Sequence, residues 1–330
     1  MRRIAGVSLC ALLVTVGAVS GAAGDRPRVR TASAAARDDD CPPDRQGGHK
    51  GGGLAGERGG LARETRPRDR ADLGHDQAVA LLTDLSRTLR DRFGTSDEGR
   101  LDATLRRAKR VTVPVRFHVV HSGRKGKLSK AAVRRQISTL NAAYSGKRGG
   151  ADTRIRFRLA SYDHTNKASW FRNPHKYESP MKKRLRKGGR GTLNIFTAEV
   201  GTDVLGFSTF PQRYRSNPRM DGVVVDYRSL PGGPLTSFDR GYTAVHETGH
   251  WLGLLHTFEG GCVPPGDGVS DTPYESDPAQ GCPEYRDTCL QSGDDPVHNF
   301  MDYAHDACMT EFTAGQGRRI RAAWAAYRSR

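Results

Sequence analysis

Beyond its first two dozen residues the sequence has no long uncharged apolar run, which excludes a polytopic membrane protein. It has no internal repeat and no RNA- or DNA-binding motif. Acids are in the minority, 36 Asp and Glu against 53 Lys and Arg, for a formal net charge of +17. An excess of that size invites a polyanion-binding reading. Its distribution argues otherwise. Residues 111–256 hold 26 bases and 9 acids, whereas residues 257–330 hold 6 and 12. A chain polarised in this way is not a uniform phosphate-binding surface, and no specific nucleic acid is expected as a partner. The basic half would instead steer acidic substrates, or hold an exported protein on anionic cell-wall polymer.

Cysteine is sparse, with six residues. Cys10 falls in residues 1–24, where Arg2-Arg3 precedes an uncharged run from Ile4 to Gly24 that ends in small residues. That is the form of a cleaved secretory signal, so a secreted protein is expected, with no stable membrane insertion after cleavage. Export implies an oxidising compartment in which disulfides persist. Four of the other cysteines, Cys262, Cys282, Cys289 and Cys308, cluster near the C-terminus and leave three pairings open. Cys41 stands alone.

Residues 25–110 read as a pro-segment. Eight of the fourteen residues from Gly47 to Gly60 are glycine, a composition that buries little. Val79, Leu82, Leu85, Leu89 and Phe93 then recur at helical spacing over residues 76–93. The segment ends in a basic cluster from Arg106 to Arg110, a candidate processing site. Regular structure resumes at residue 111, with alternating strands at 111–121 and 154–162 and a helix at 128–144 between them. Further strands are expected at 192–200, 203–210 and 221–227, and a helix from about residue 239. Residues 257–312 are rich in Gly, Pro and Asp and show no period. Thr313 and Gln316 form a capping box that opens a final helix, with Ile320, Ala323, Trp324 and Tyr327 facing inward. Strands and helices followed by a cross-linked irregular region make an α+β class. The catalytic domain is placed at 111–330, divided at residue 256.

Residues 246–256 read His-Glu-Thr-Gly-His-Trp-Leu-Gly-Leu-Leu-His. His246 and His250 are four apart, so on a helix both can reach one metal ion, and Glu247 beside them can hold and deprotonate its water. Gly253 can turn the chain so that His256 returns as a third ligand. Three imidazoles with an open fourth position suit a catalytic zinc and peptide-bond hydrolysis.

This extended motif resembles that of the metzincin metalloproteases. Met301 in the run NFMDY stands where those enzymes carry a methionine turn, and Tyr303 two residues on stands where a tyrosine points at the metal. Thr257-Phe258, the Gly-Cys at 261–262 and the run GDGVSDTP at 266–273 are similar to the pappalysin family of secreted metalloproteases. The resemblance covers about residues 111–330. It implies a twisted, mostly parallel five-stranded sheet with backing and active-site helices, then a disulfide-stapled subdomain ending in a helix. It implies Glu247 and Tyr303 as catalytic groups and His246, His250 and His256 as zinc ligands. By order it pairs Cys262 with Cys289 and Cys282 with Cys308. Asp267, Asp271, Thr272 and Glu275 offer hard oxygens for a structural calcium ion, and the resemblance makes Cys41 a zymogen switch that binds the catalytic zinc. Protein or peptide substrates would lie extended along residues 204–210, with Asp302 and Asp306 favouring a basic residue after the cleaved bond. The competing class is a catalytically inert or polyanion-binding secreted module on the same fold.

Overall fold

The computed structural model describes residues 71, 73–107, 110–201 and 203–329. The signal sequence expected at 1–24, the Gly/Arg-rich stretch and Cys41 lie outside the described residues. No helix among the described residues is long and apolar enough to cross a membrane.

Helix α1 (His75–Phe93) follows the expected periodicity and stops at Gly94, whose left-handed backbone (φ 72°) gives its N–H to the Arg90 carbonyl. Helix α2 (Glu98–Leu105) starts on Asp97, whose carboxylate accepts the Gly99 and Arg100 N–H groups. Strand β1 (Val111–His121) pairs in parallel with both β2 (Ile155–Asn166) and β3 (Leu193–Ala198). Its central position buries both faces toward its C-terminal end, which is why the alternation of its first half gives way to consecutive buried Val119 and Val120. Fully buried side chains such as Val115 and Phe117 each contribute about 1.5–3 kcal/mol. Between β1 and β2, α3 (Lys130–Tyr144) lays Val133, Ile137, Leu140 and Tyr144 on the sheet.

Two short helices, α4 (Ala168–Arg172) and α5 (Glu178–Leu185), were not expected. Five and eight residues carry too few turns for a periodic signal, and α5 is mostly charged. Its Lys182 is nonetheless fully buried, donating to the carbonyls of Met220 and Gly222 at 3.0 Å and pairing with Glu178 at 2.8 Å. Strand β4 is only Gly206–Phe207, antiparallel to β5 (Val223–Asp226). Residues 203–210 do not form the full strand expected, because the Gly222 N–H goes to the Thr209 hydroxyl (3.0 Å) rather than to a strand carbonyl. The sheet order is β2-β1-β3-β5-β4, which leaves β4 at an edge.

Helix α6 (Tyr242–Trp251) is buried along its whole length. From α3, Gln136 holds the Gly241 carbonyl at 2.9 Å and the Tyr144 hydroxyl holds that of Val245 at 3.0 Å. Then come the irregular region, cross-linked by the interleaved disulfides Cys262–Cys289 and Cys282–Cys308, and α7 (Ala314–Ala323) with the Thr313–Gln316 capping box. A π-helical turn over Trp324–Arg328 extends α7.

Helices α1 and α2 are docked on this C-terminal element. Leu85, Leu89 and Leu101 form a cluster with Ala322, Ala323 and Ala326. Arg321 meets Asp102 at 2.5 Å and Arg319 meets Glu98 at 2.6 Å, while Arg92 caps the carbonyls of Ala325 and Ala326.

Candidate active site

Helix α6 sets the site. His246 and His250, one turn apart, project from the same face, and the helix breaks just past Trp251. Gly253 makes the break possible. Its φ is +95°, and a Cβ there would stand 2.8 Å from that of Ala323. The chain reverses, and His256 returns to the other two. The Nε2 atoms of His246 and His250 are 3.1 Å apart and those of His250 and His256 are 3.2 Å apart. Among the described residues this is the one group of His, Cys, Asp or Glu side chains gathered closely enough to hold a metal ion.

The group fits zinc. Tetrahedral zinc with bonds of about 2.0–2.1 Å separates neighbouring ligand nitrogens by roughly 3.3–3.4 Å, close to the spacing seen. His246 Nδ1 lies 2.8 Å from the Phe300 carbonyl and His250 Nδ1 lies 2.8 Å from that of Leu254. Each contact holds a proton on Nδ1 and leaves the Nε2 lone pair for a metal. Neither carbonyl was visible to side-chain motif reasoning. Phe258 stacks on the His256 ring, with centroids 4.6 Å apart and planes 9° apart.

The Glu247 carboxylate is buried and lies against the Gly206 backbone of edge strand β4. The Tyr303 hydroxyl is 3.2 Å from His256 Nε2. Met301 is fully buried beneath the helix, against Gly249; a Cβ at that glycine would approach its sulfur to 2.4 Å. Glu247 and Tyr303 share a pocket with Leu205, Phe238, Tyr242 and Met309 in its walls. Asp302 and Asp306 also line it. Burial pushes the Asp306 carboxyl up to about 7, against backbone N–H donors from Arg240 and Tyr242 that pull it down. Burial raises Asp302 as well.

The four candidate calcium ligands do not gather at one point. Asp267 accepts the Val269 N–H and the Thr272 hydroxyl, and its desolvated carboxyl is raised to about 7. Asp271 instead caps α7 through the Thr313 hydroxyl (2.8 Å) and the Gly315 N–H (2.7 Å). Glu275 takes the Thr257 hydroxyl and pairs with Arg286, and burial beside Asp302 raises its carboxyl. Glu259 next to His256 drew no attention in the sequence; the only signal was an acid three residues past the last histidine.

Residues 193–325 match the family model described as pregnancy-associated plasma protein-A. An extracellular metalloprotease of Colletotrichum graminicola is 43% identical over 241 residues, 71% of this chain and 84% of that protein. One of Arthroderma benhamiae is 39% identical over 228 residues, 67% of this chain and 75% of the relative. Among solved structures, mature mirolysin of Tannerella forsythia in complex with a cleaved peptide superposes with a TM-score of 0.58 at 29% identity, covering 65% of this chain and 91% of mirolysin. A mutant of its precursor, promirolysin, gives the same score at 26% identity, covering 73% and 92%. With its histidine triad and methionine turn on a metzincin-like sheet, the chain belongs to the pappalysin family of metalloproteases.

Proposed function

We propose that the chain is a secreted zinc endopeptidase, made as a zymogen, that cleaves extended peptide substrates laid along β4. The convergence of three imidazole Nε2 atoms on the pocket of Glu247 and Tyr303 carries this reading. Zinc bound there supplies Lewis acidity toward the scissile carbonyl and acidifies water. Glu247 takes the proton of the attacking water and passes it to the departing amine. The Tyr303 hydroxyl donates to the oxygen on which negative charge develops. The outer edge of β4 offers backbone groups to the substrate.

A peptide-library digest by the processed enzyme tests the reading, and it is expected to stop when a chelator is added and resume with zinc. Cleavage that ignored the chelator would end the zinc assignment. The same library reads the pocket. A basic side chain after the cleaved bond would face Asp302 and Asp306. Because the ionised carboxylate binds a cation and the neutral acid does not, the ratio of basic to apolar cleavage should rise with pH through about 7.

The zymogen reading places Cys41 at the zinc and the processing site at Arg106–Arg110. Within that cluster Arg106, Arg107 and Arg110 are exposed. Helices α1 and α2, however, share a core and two Arg–carboxylate pairs with α7. Removing them would take their acids from Arg319 and Arg321, now 7% exposed, and bare the apolar face of Ala322, Ala323 and Ala326. After cleavage in the cluster, the α1–α2 fragment is therefore expected to co-elute with the catalytic domain in native gel filtration and to separate only in denaturant. A fully stable mature form that began at Val111 and carried no fragment would contradict this.

A further inference from the structure

The three converging imidazoles differ in what their outer nitrogens meet. His246 and His250 turn theirs to backbone carbonyls at 2.8 Å. The Nδ1 of His256 faces a carboxylate oxygen, Oε2 of Glu259, at 3.5 Å, and the two side chains are 0% and 4% exposed. Glu259 Oε2 makes no hydrogen bond among the described residues. Among the described residues the one ion pair of Glu259 is this contact with His256. The chain fixes Glu259 to His256, since its N–H donates to the His256 carbonyl (3.2 Å) and Phe258 before it stacks on the His256 ring.

A buried carboxylate without a full cationic partner is costly. This one has an imidazole edge in front of it and, across that ring, the point where the three Nε2 atoms meet. Two effects follow from the placement. The negative charge favours the proton on Nδ1, so the Nε2 lone pair stays turned inward. It would also place an anion one ring away from a dication held by three neutral imidazoles. In other metal sites, an outer carboxylate of this kind changes metal affinity about 10- to 100-fold.

We propose that Glu259 is a positioning residue for the metal centre, the buried anion that orients His256 and strengthens its hold on the metal. The proposal rests on the zinc-peptidase reading above. It is tested on the full processed protein by the rate at which zinc is lost to a chelating dye, and by thermal unfolding with and without chelator. The variants are two isosteric comparisons, the parent against Glu259→Gln and Glu259→Asp against Glu259→Asn.

Glu259→Gln is expected to lose zinc about 10- to 100-fold faster than the parent, with the chelator-treated Tm unchanged or raised. Glu259→Asp should retain zinc better than Glu259→Asn, a recovery that packing alone would not give. Cobalt substitution should show a shifted d–d spectrum in the two amides relative to the two acids. Equal zinc loss within both comparisons overturns the proposal. If the Gln variant does not fold, the Asp/Asn comparison decides alone. A parent that takes up no zinc is a different result, which removes the zinc reading itself.

Discussion

Glu247→Gln is expected to lower kcat by roughly 10³-fold, within the range of about 10²–10⁴ that a positioned general base contributes. Zinc content and fold should both survive. Glu247 follows His246 directly on α6, so its side chain leaves the helix about 100° round from the ligand face. That direction carries the carboxylate to Gly206 on edge strand β4, in the pocket it shares with His246 and Tyr303. The amide preserves shape but accepts no proton. It also removes a buried negative charge, so thermal stability should hold or rise slightly. Turnover, zinc stoichiometry and Tm, measured on one preparation, separate the base from a ligand or a packing group. Activity above about a tenth of the parent's would reassign the base, and loss of zinc would make Glu247 a ligand.

The parts of the site written in consecutive residues were legible in the sequence. The spacing of His246, His250 and His256 carries its own geometry once α6 and the turn at Gly253 are granted. So do Met301 and Tyr303, through their family position. What stayed hidden has a common physical character. The carbonyls of Phe300 and Leu254 are backbone groups, which no motif records. Asp271 looked like one of four neighbouring oxygen ligands, yet it serves a helix 42 residues away. The last helix was expected to turn Ile320, Ala323, Trp324 and Tyr327 inward. Ile320 and Ala323 are buried, but so are Arg319, Arg321 and Arg328. Amphipathic periodicity treats arginine as a surface residue, and only the closed fold supplies the acids that bring these three inside. Likewise 203–210 alternates like a strand, but the Thr209 hydroxyl takes a backbone donor and cuts the ladder to two residues.

The largest stability effect is expected at Asp221. This carboxylate is 1% exposed and pairs with the fully buried Arg328 at 2.8 Å. It also accepts the Trp251 indole N–H, at 3.1 and 3.2 Å to its two oxygens. Arg328 in turn donates to the Trp251 carbonyl at 3.0 Å and lies over the Trp251 ring at 3.9 Å. The network joins the segment entering β5, the end of α6 and the C-terminal π-turn, and Trp251 directly follows His250 of the histidine triad. Asp221→Ala leaves a buried guanidinium and an indole N–H without their acceptor. The expected cost is about 3–5 kcal/mol, a fall in Tm of roughly 6–20 °C for a chain of this size. Asp221→Asn retains an acceptor for Trp251 but loses the charge, so it should fall between Ala and the parent. The double change Asp221→Asn with Arg328→Met removes both charges and should recover part of the loss, since an absent pair is less costly than a broken one. Zinc should also escape faster from Asp221→Ala than from the parent, because the residue beside His250 loses its anchor. Urea unfolding of the parent, the two single variants and the double variant measures these differences. A single-mutant cost below about 1 kcal/mol would show that the network is wet and loosely held, and the coupling to the metal helix would go with it.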